Sequence, residues 1–190
     1  MPPVQPTVTR RPLHRRALDV QVFAREDGLF DVEASLIDTK SHDVPLAGET
    51  RRAGTPIHEM HLHLTVDATL TITAAASDTR WMPYVGACGE HGDAYARMIG
   101  LNLMKGFRQA VQERLGGTRG CTHLTELCQV LPTAVIQAMA GSVIDTREGD
   151  ADGNPPFQLD RCHALRRDGE TVAKFYPRWH QAPETATNVS

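Results

Sequence analysis

A cysteine stands where a glycine-rich loop runs into an apolar helical pattern, in Leu115-Gly116-Gly117-Thr118-Arg119-Gly120-Cys121-Thr122-His123-Leu124. A helix start presents unpaired N–H groups and a partial positive charge. Thiols placed there carry more thiolate at neutral pH, and the same N–H groups attract anions. The segment therefore reads as a nucleophile site. Cys121 is the candidate nucleophile or acid, with His123 or His58 as base. Arg119, Gly120 and Thr122 are the candidate substrate contacts around it, with Tyr84 from a neighbouring loop.

A second chemistry competes for the same residues. Cys88 and His91 stand three apart in Pro83-Tyr84-Val85-Gly86-Ala87-Cys88-Gly89-Glu90-His91, which suits two metal ligands from one loop. Cys121 and His123 would complete a set of four, and such a Cys/His set fits zinc or iron. His58, Cys162 and His163 are further candidates for it. Cys128 falls in an apolar stripe with Leu124 and Leu131 and reads as core. The run Ile57-His58-Glu59-Met60-His61-Leu62-His63 lacks the H-E-x-x-H helix pattern and reads as a strand. His58 then shares the inward face of Met60 and Leu62, and His61 and His63 face outward. No G-x-S-x-G, Walker loop or strand-linked G-x-G-x-x-G is present.

These residues need a scaffold, and periodicity supplies one. Leu18, Val20 and Val22 alternate, Asp27-Gly28 turns, and Phe30, Val32, Ala34 and Leu36 alternate back, a hairpin across 17–38. Residues 39–56 read as a long polar loop. Met60, Leu62, Leu64 and Val66, then Leu70, Ile72, Ala74 and Ala76, make a second hairpin. The period then lengthens. Tyr95, Ile99, Leu103, Phe107, Val111 and Leu115 mark one helix ending at Gly116-Gly117. Leu124, Leu127, Leu131, Val135 and Met139 mark another, with Thr122 as N-cap and Pro132 as a kink or split. Cys162–Leu165, Asp168-Gly169 and Val172–Tyr176 suggest a short C-terminal hairpin. The fold class is α+β: an antiparallel sheet of two consecutive hairpins with two main helices packed on one face. Residues 1–16 read as an extended arm, 17–180 as a single domain and 181–190 as a disordered tail.

Composition narrows the partners. The chain has 190 residues, net charge -3 and 5% aromatic residues, so neither a basic field nor a base-stacking surface calls for nucleic acid. No apolar run approaches the roughly 20 residues that span a bilayer. Met1–Arg16 has no apolar leader segment, so a cytoplasmic protein with reduced cysteines is expected. The expected partner is a small-molecule ligand, with a homo-oligomer compatible.

Several strings carry a resemblance. Arg25–Lys40 (REDGLFDVEASLIDTK), Gly54–Asp67, Pro83–Cys88 and above all Gly120–Leu127 (GCTHLTEL) resemble the bacterial domain of unknown function 2889 family, over about residues 14–180. That family name implies no activity. The order of hairpin, Cys88-Gly89 and the Cys121 helix is also similar in layout to iron–sulfur scaffold proteins of the IscU/NifU type. The scaffolds' middle cysteine has no counterpart, and Gly120 stands where a His precedes their late cysteine. Three functions stay open: a small enzyme acting on an acyl, carboxylate or thioester-like metabolite, a zinc or iron domain, and a non-catalytic binding module. The enzyme ranks first, because a glycine loop placing a cysteine at a helix start is more than a turn requires.

Overall fold

The computed structural model describes residues 8–89 and 92–182, and these fall into two compact units divided between Ala138 and Met139. Where the sequence suggests one domain over 17–180, the described chain therefore has two parts. The expected arm also ends early, since the first strand, β1, spans His14–Ala24. The expected 181–190 tail lies almost wholly outside the described residues.

In the first unit, β1 pairs with β2 (Phe30–Lys40) across a turn in which Gly28 has φ 82, a left-handed conformation that favours glycine. A small hairpin of β3 (Val44–Leu46) and β4 (Glu49–Arg51) occupies what the sequence suggests is plain loop. It is anchored by Arg51, which is buried, pairs with Glu49, donates to the Pro56 and Met82 carbonyls and lies 4.6 Å over the Trp81 ring. β5 (Pro56–Val66) and β6 (Ile72–Trp81) complete an antiparallel sheet in the order β1-β2-β5-β6. Val32, Ala34 and Leu36 of β2 and Met60, Leu62, Leu64 and Val66 of β5 are buried on one face, as alternation requires. Burial of each such large side chain stabilises the fold by about 1.5–3 kcal/mol. In β6 the inward parity changes. Thr65 pairs with Ala74 but Val66 with Ile72, so Thr73 is an extra residue. This bulge turns Ala75, Ser77 and Thr79 inward rather than Ala74 and Ala76.

The long helix expected from Tyr95 to Leu115 is instead a 3-10 turn (Gly92–Met98), a stretch of turns with one bridge from Asn102 to Thr71, and α1 (Phe107–Leu115). Gly100 (φ 84) and Gly106 (φ 63) adopt left-handed geometry and end the helical run on each side. The stretch between them hydrogen-bonds to the sheet's margin, with Ile72 N–H to the Leu101 carbonyl and Leu103 N–H to the Leu70 carbonyl. The second helical pattern splits near Pro132, as expected, into α2 (Thr122–Cys128) and α3 (Leu131–Met139). The N-cap of α2 is Cys121 rather than Thr122. α2 lies over β2 and β5 and packs on α1.

The second unit has no strand among its described residues. The expected hairpin over 162–176 is a 3-10 turn (His163–Leu165) followed by α4 (Glu170–Phe175). Val172 is the segment's one fully buried side chain, too little for a strand face. Glu170 in the first turn and Lys174 in the last suit the helix dipole. No described helix is long and apolar enough to cross a membrane.

Candidate functional site

The apolar alternation of three neighbouring strands ends in polar residues on the same inward face. Two residues before Leu18 comes Arg16, two after Leu36 comes Asp38, and two before Met60 comes His58. Strand register sets Arg16 opposite Asp38 and Asp38 opposite His58, so the three form one row across β1, β2 and β5. Two bulges bracket this part of β5. Ile57 of β5 is extra against β2, and Arg80 of β6 is extra against β5. Bulges of this kind re-aim side chains beside functional sites.

Asp38 is the centre of the row and is buried. Its Oδ1 accepts from Arg16 Nε at 2.8 Å and lies 3.0 Å from His14 Nε2. Its Oδ2 accepts from Arg16 Nη2 at 2.7 Å and lies 3.1 Å from His58 Nδ1. A carboxylate has about four lone-pair sites, and Arg16 takes one on each oxygen. Burial by itself would raise this carboxyl, but the hydrogen bonds and charge of Arg16, with His58 and His14, outweigh it and pull it down to about 2. Arg16 is in turn held by Glu126 from α2, which ties helix to sheet.

The start of α2 lowers Cys121 and His123 onto the row. The ring of His123 lies against that of His58 with centroids 3.8 Å apart and planes tilted by 32°. His123 Nε2 is 3.9 Å from Asp38 Oδ2, and its Nδ1 is 3.8 Å from Cys121 Sγ. Burial holds His123 below the usual imidazole range, helped by the charges of His58 and Arg16. Burial likewise lowers His58, against the pull of Asp38. Both rings are therefore neutral at neutral pH. Cys121 Sγ also lies 3.5 Å from Met60 Sδ. Its backbone is clamped by Tyr95, whose Oη donates to the Cys121 carbonyl at 2.8 Å and accepts from the Cys121 N–H at 3.1 Å.

The arrangement thus runs from a thiol through an imidazole to a buried carboxylate, the order in which a nucleophile, a base and an orienting group are used. His123 presents Nε2 toward Asp38 and Nδ1 toward Cys121.

Of the residues singled out in the sequence, the structure brings Cys121, His123 and His58 together. Arg119 turns away and donates to the Gln112 carbonyl at 3.2 Å. Gly120 serves packing: a Cβ there would stand 2.8 Å from the Leu115 carbonyl oxygen and 3.1 Å from Tyr95 Oη. Thr122 faces an open cleft of about 570 Å³ between α1 and α2. Tyr84 is exposed on its loop. Cys88 forms no set with Cys121 and His123 whose donor atoms lie within 4.8 Å of one another, and His91 lies outside the described residues. Among the described residues, the group of three or more donors that does meet this limit is Asp38, His58 and His123. Cys162 and His163 are exposed in the second unit, and Cys128 is buried, its thiol pushed up to about 12 by burial. His61 and His63 lie on the outer sheet face, 6.4 Å apart. Asp38, His14 and the role of Arg16 went unread in the sequence. The available signal was a charged residue at an inward position of each alternating run.

No curated protein and no solved structure gives a significant match to this chain. A family match covers residues 14–137, short of the 14–180 that the resemblance suggested, and spans every residue of the site from His14 to His123. The chain belongs to that family, described as a protein of unknown function, DUF2889.

Proposed function

We propose that this protein is a small cytoplasmic enzyme in which Cys121 is the nucleophile toward an acyl, carboxylate or thioester-like metabolite. The observation that carries this reading is the line from Cys121 Sγ, 3.8 Å to His123 Nδ1, and from His123 Nε2, 3.9 Å to the buried Asp38 carboxylate. Both spans are longer than hydrogen bonds, and they shorten when a substrate closes over the site.

The chemistry balances with the chain's own groups. His123 Nδ1 takes the thiol proton as Cys121 Sγ forms a bond to the carbonyl carbon. The carbonyl π pair moves to oxygen, then returns as the bond to the leaving group breaks. The leaving group departs with the proton held on His123. Water or another acceptor, deprotonated by His123, attacks the Cys121 thioester, and the sulfur leaves and recovers its proton. Asp38 stabilises the imidazolium form of His123 in each half-reaction. It is itself held in place by Arg16 and His14.

An activated ester tests this directly. Incubation with p-nitrophenyl acetate should leave one acetyl group on the peptide containing Cys121, absent in Cys121→Ser and slowed about a hundred-fold in His123→Gln. Acetylation elsewhere, or at an equal rate in His123→Gln, would contradict the reading.

A further inference from the structure

We propose that Asp38, His58 and His123 form a reversible site for a divalent transition-metal ion, and that the bound ion switches off the Cys121 thiol. The ligand set differs from the Cys/His set suggested by the sequence: it keeps the histidines His58 and His123 but replaces Cys88 and Cys121 with the carboxylate of Asp38. The switching half rests on the proposed role of His123 as base, whereas the binding half does not.

Three donors from β2, β5 and the start of α2 lie within 4.8 Å of one another. A tetrahedral ion with bonds of about 2.0–2.1 Å needs its donors about 3.3 Å apart. The two imidazole rings are 3.8 Å apart, and each brings a donor nitrogen within 4.8 Å of the Asp38 carboxylate, so modest side-chain rotation brings the three donors to one ion. There the ion replaces the contact between Oδ2 and His58 Nδ1. Two imidazoles and one carboxylate suit zinc, cobalt, nickel or iron, and the nitrogen donors exclude calcium and magnesium.

Charge sets the strength. Arg16 holds both oxygens of Asp38 and stays bound to it, so the anionic ligand is already half neutralised before an ion arrives. Such a site binds weakly enough to load and unload, unlike a structural zinc held by thiolates. Occupation has a consequence for the thiol. With Nε2 of His123 on the metal, its proton must sit on Nδ1, which then faces Cys121 Sγ as a donor. A ring that donates to sulfur cannot take the thiol proton, so the base is lost while the ion is bound.

The test uses the full-length chain, stripped of metal and titrated with Co²⁺ and Zn²⁺. Visible Co²⁺ bands and calorimetry report binding, and iodoacetamide labelling of Cys121 reports the thiol. We expect one saturable ion in the wild type, in Cys121→Ala and in His163→Gln, a change at an exposed histidine of the second unit. Binding should weaken at least ten-fold in His58→Gln and in His123→Gln. Zn²⁺ should slow labelling of wild-type Cys121 about ten-fold and leave the exposed Cys162 unchanged. Absence of saturable binding, binding untouched by both histidine variants, or binding lost in Cys121→Ala would each overturn the site. Binding without slowed labelling would overturn the switch. If metal-free labelling proves indifferent to His123→Gln while the ion still binds, the enzyme reading and the switch fail and the metal site stands.

Discussion

His58 and His123 lie face to face with ring centroids 3.8 Å apart and planes tilted by 32°, although one comes from a strand and the other from the first turn of a helix 65 residues later. Two imidazolium rings cannot share that contact cheaply, so the pair favours the neutral form. The two rings also cover the side of Asp38 that Arg16 and His14 leave open.

The pH dependence of the thiol follows. Burial first, then His58 and Arg16, holds His123 below its ordinary value of 6.5, so it still accepts a proton under mildly acidic conditions. The ratio of Cys121 labelling rates in wild type and His123→Gln isolates this contribution. That ratio should stay high below pH 6.5 and collapse once His123 is protonated. In His58→Ala, which removes the competing ring and admits water, the collapse should move to higher pH.

Stability should fall in acid. The Asp38 carboxyl is lowered from 3.8 to about 2, so below pH 3.8 the unfolded chain takes up the proton first. Its contribution, on the order of 2 kcal/mol, is present above that pH and lost as pH falls to about 2. His58 and His123, also lowered, add a loss that begins as pH drops through 6.5. Asp38→Asn should cost about 3 kcal/mol at neutral pH by stranding Arg16, and should flatten the curve between pH 4 and 2. Urea unfolding across pH measures both.

Gly120→Ala is a steric test. The backbone there is extended (φ -160), which any residue adopts, so the cost comes from the Cβ meeting the Leu115 carbonyl and Tyr95 Oη. A loss of about 1–3 kcal/mol and slower Cys121 labelling are expected. Wild-type stability would show that the close approach does not exist.

Tyr95→Phe removes the hydroxyl that clamps both backbone groups of Cys121. Leaving them unpaired should cost about 1–3 kcal/mol. Labelling of Cys121 should slow if the clamp positions the sulfur, and thermal melts separate that effect from general destabilisation.

Much of this arrangement was legible. Alternation located β1, β2 and β5, and it placed His58 on the inward face with Met60 and Leu62. The Gly120–Cys121–Thr122 junction was legible as a loop meeting a helix. What escaped was the row Arg16, Asp38, His58, because register between strands is a tertiary fact and each residue looked like the frayed end of its own run. The helix expected from Tyr95 failed for a different reason. Its apolar positions other than Ile99 are buried, but Gly100 and Gly106 use left-handed geometry to break the chain between them. In β6 a single extra residue, Thr73, reversed the parity that alternation implied.

The central claim is that Cys121 is activated by His123, and competitive alkylation tests it most directly. Native protein, free of metal, is treated briefly with iodoacetamide at neutral pH, and adducts on Cys121, Cys128 and Cys162 are counted by peptide mass spectrometry. The account predicts that half-buried Cys121 labels faster than fully exposed Cys162, that buried Cys128 does not label, and that His123→Gln removes the advantage of Cys121. Labelling of Cys121 no faster than Cys162, or unchanged in His123→Gln, would contradict it.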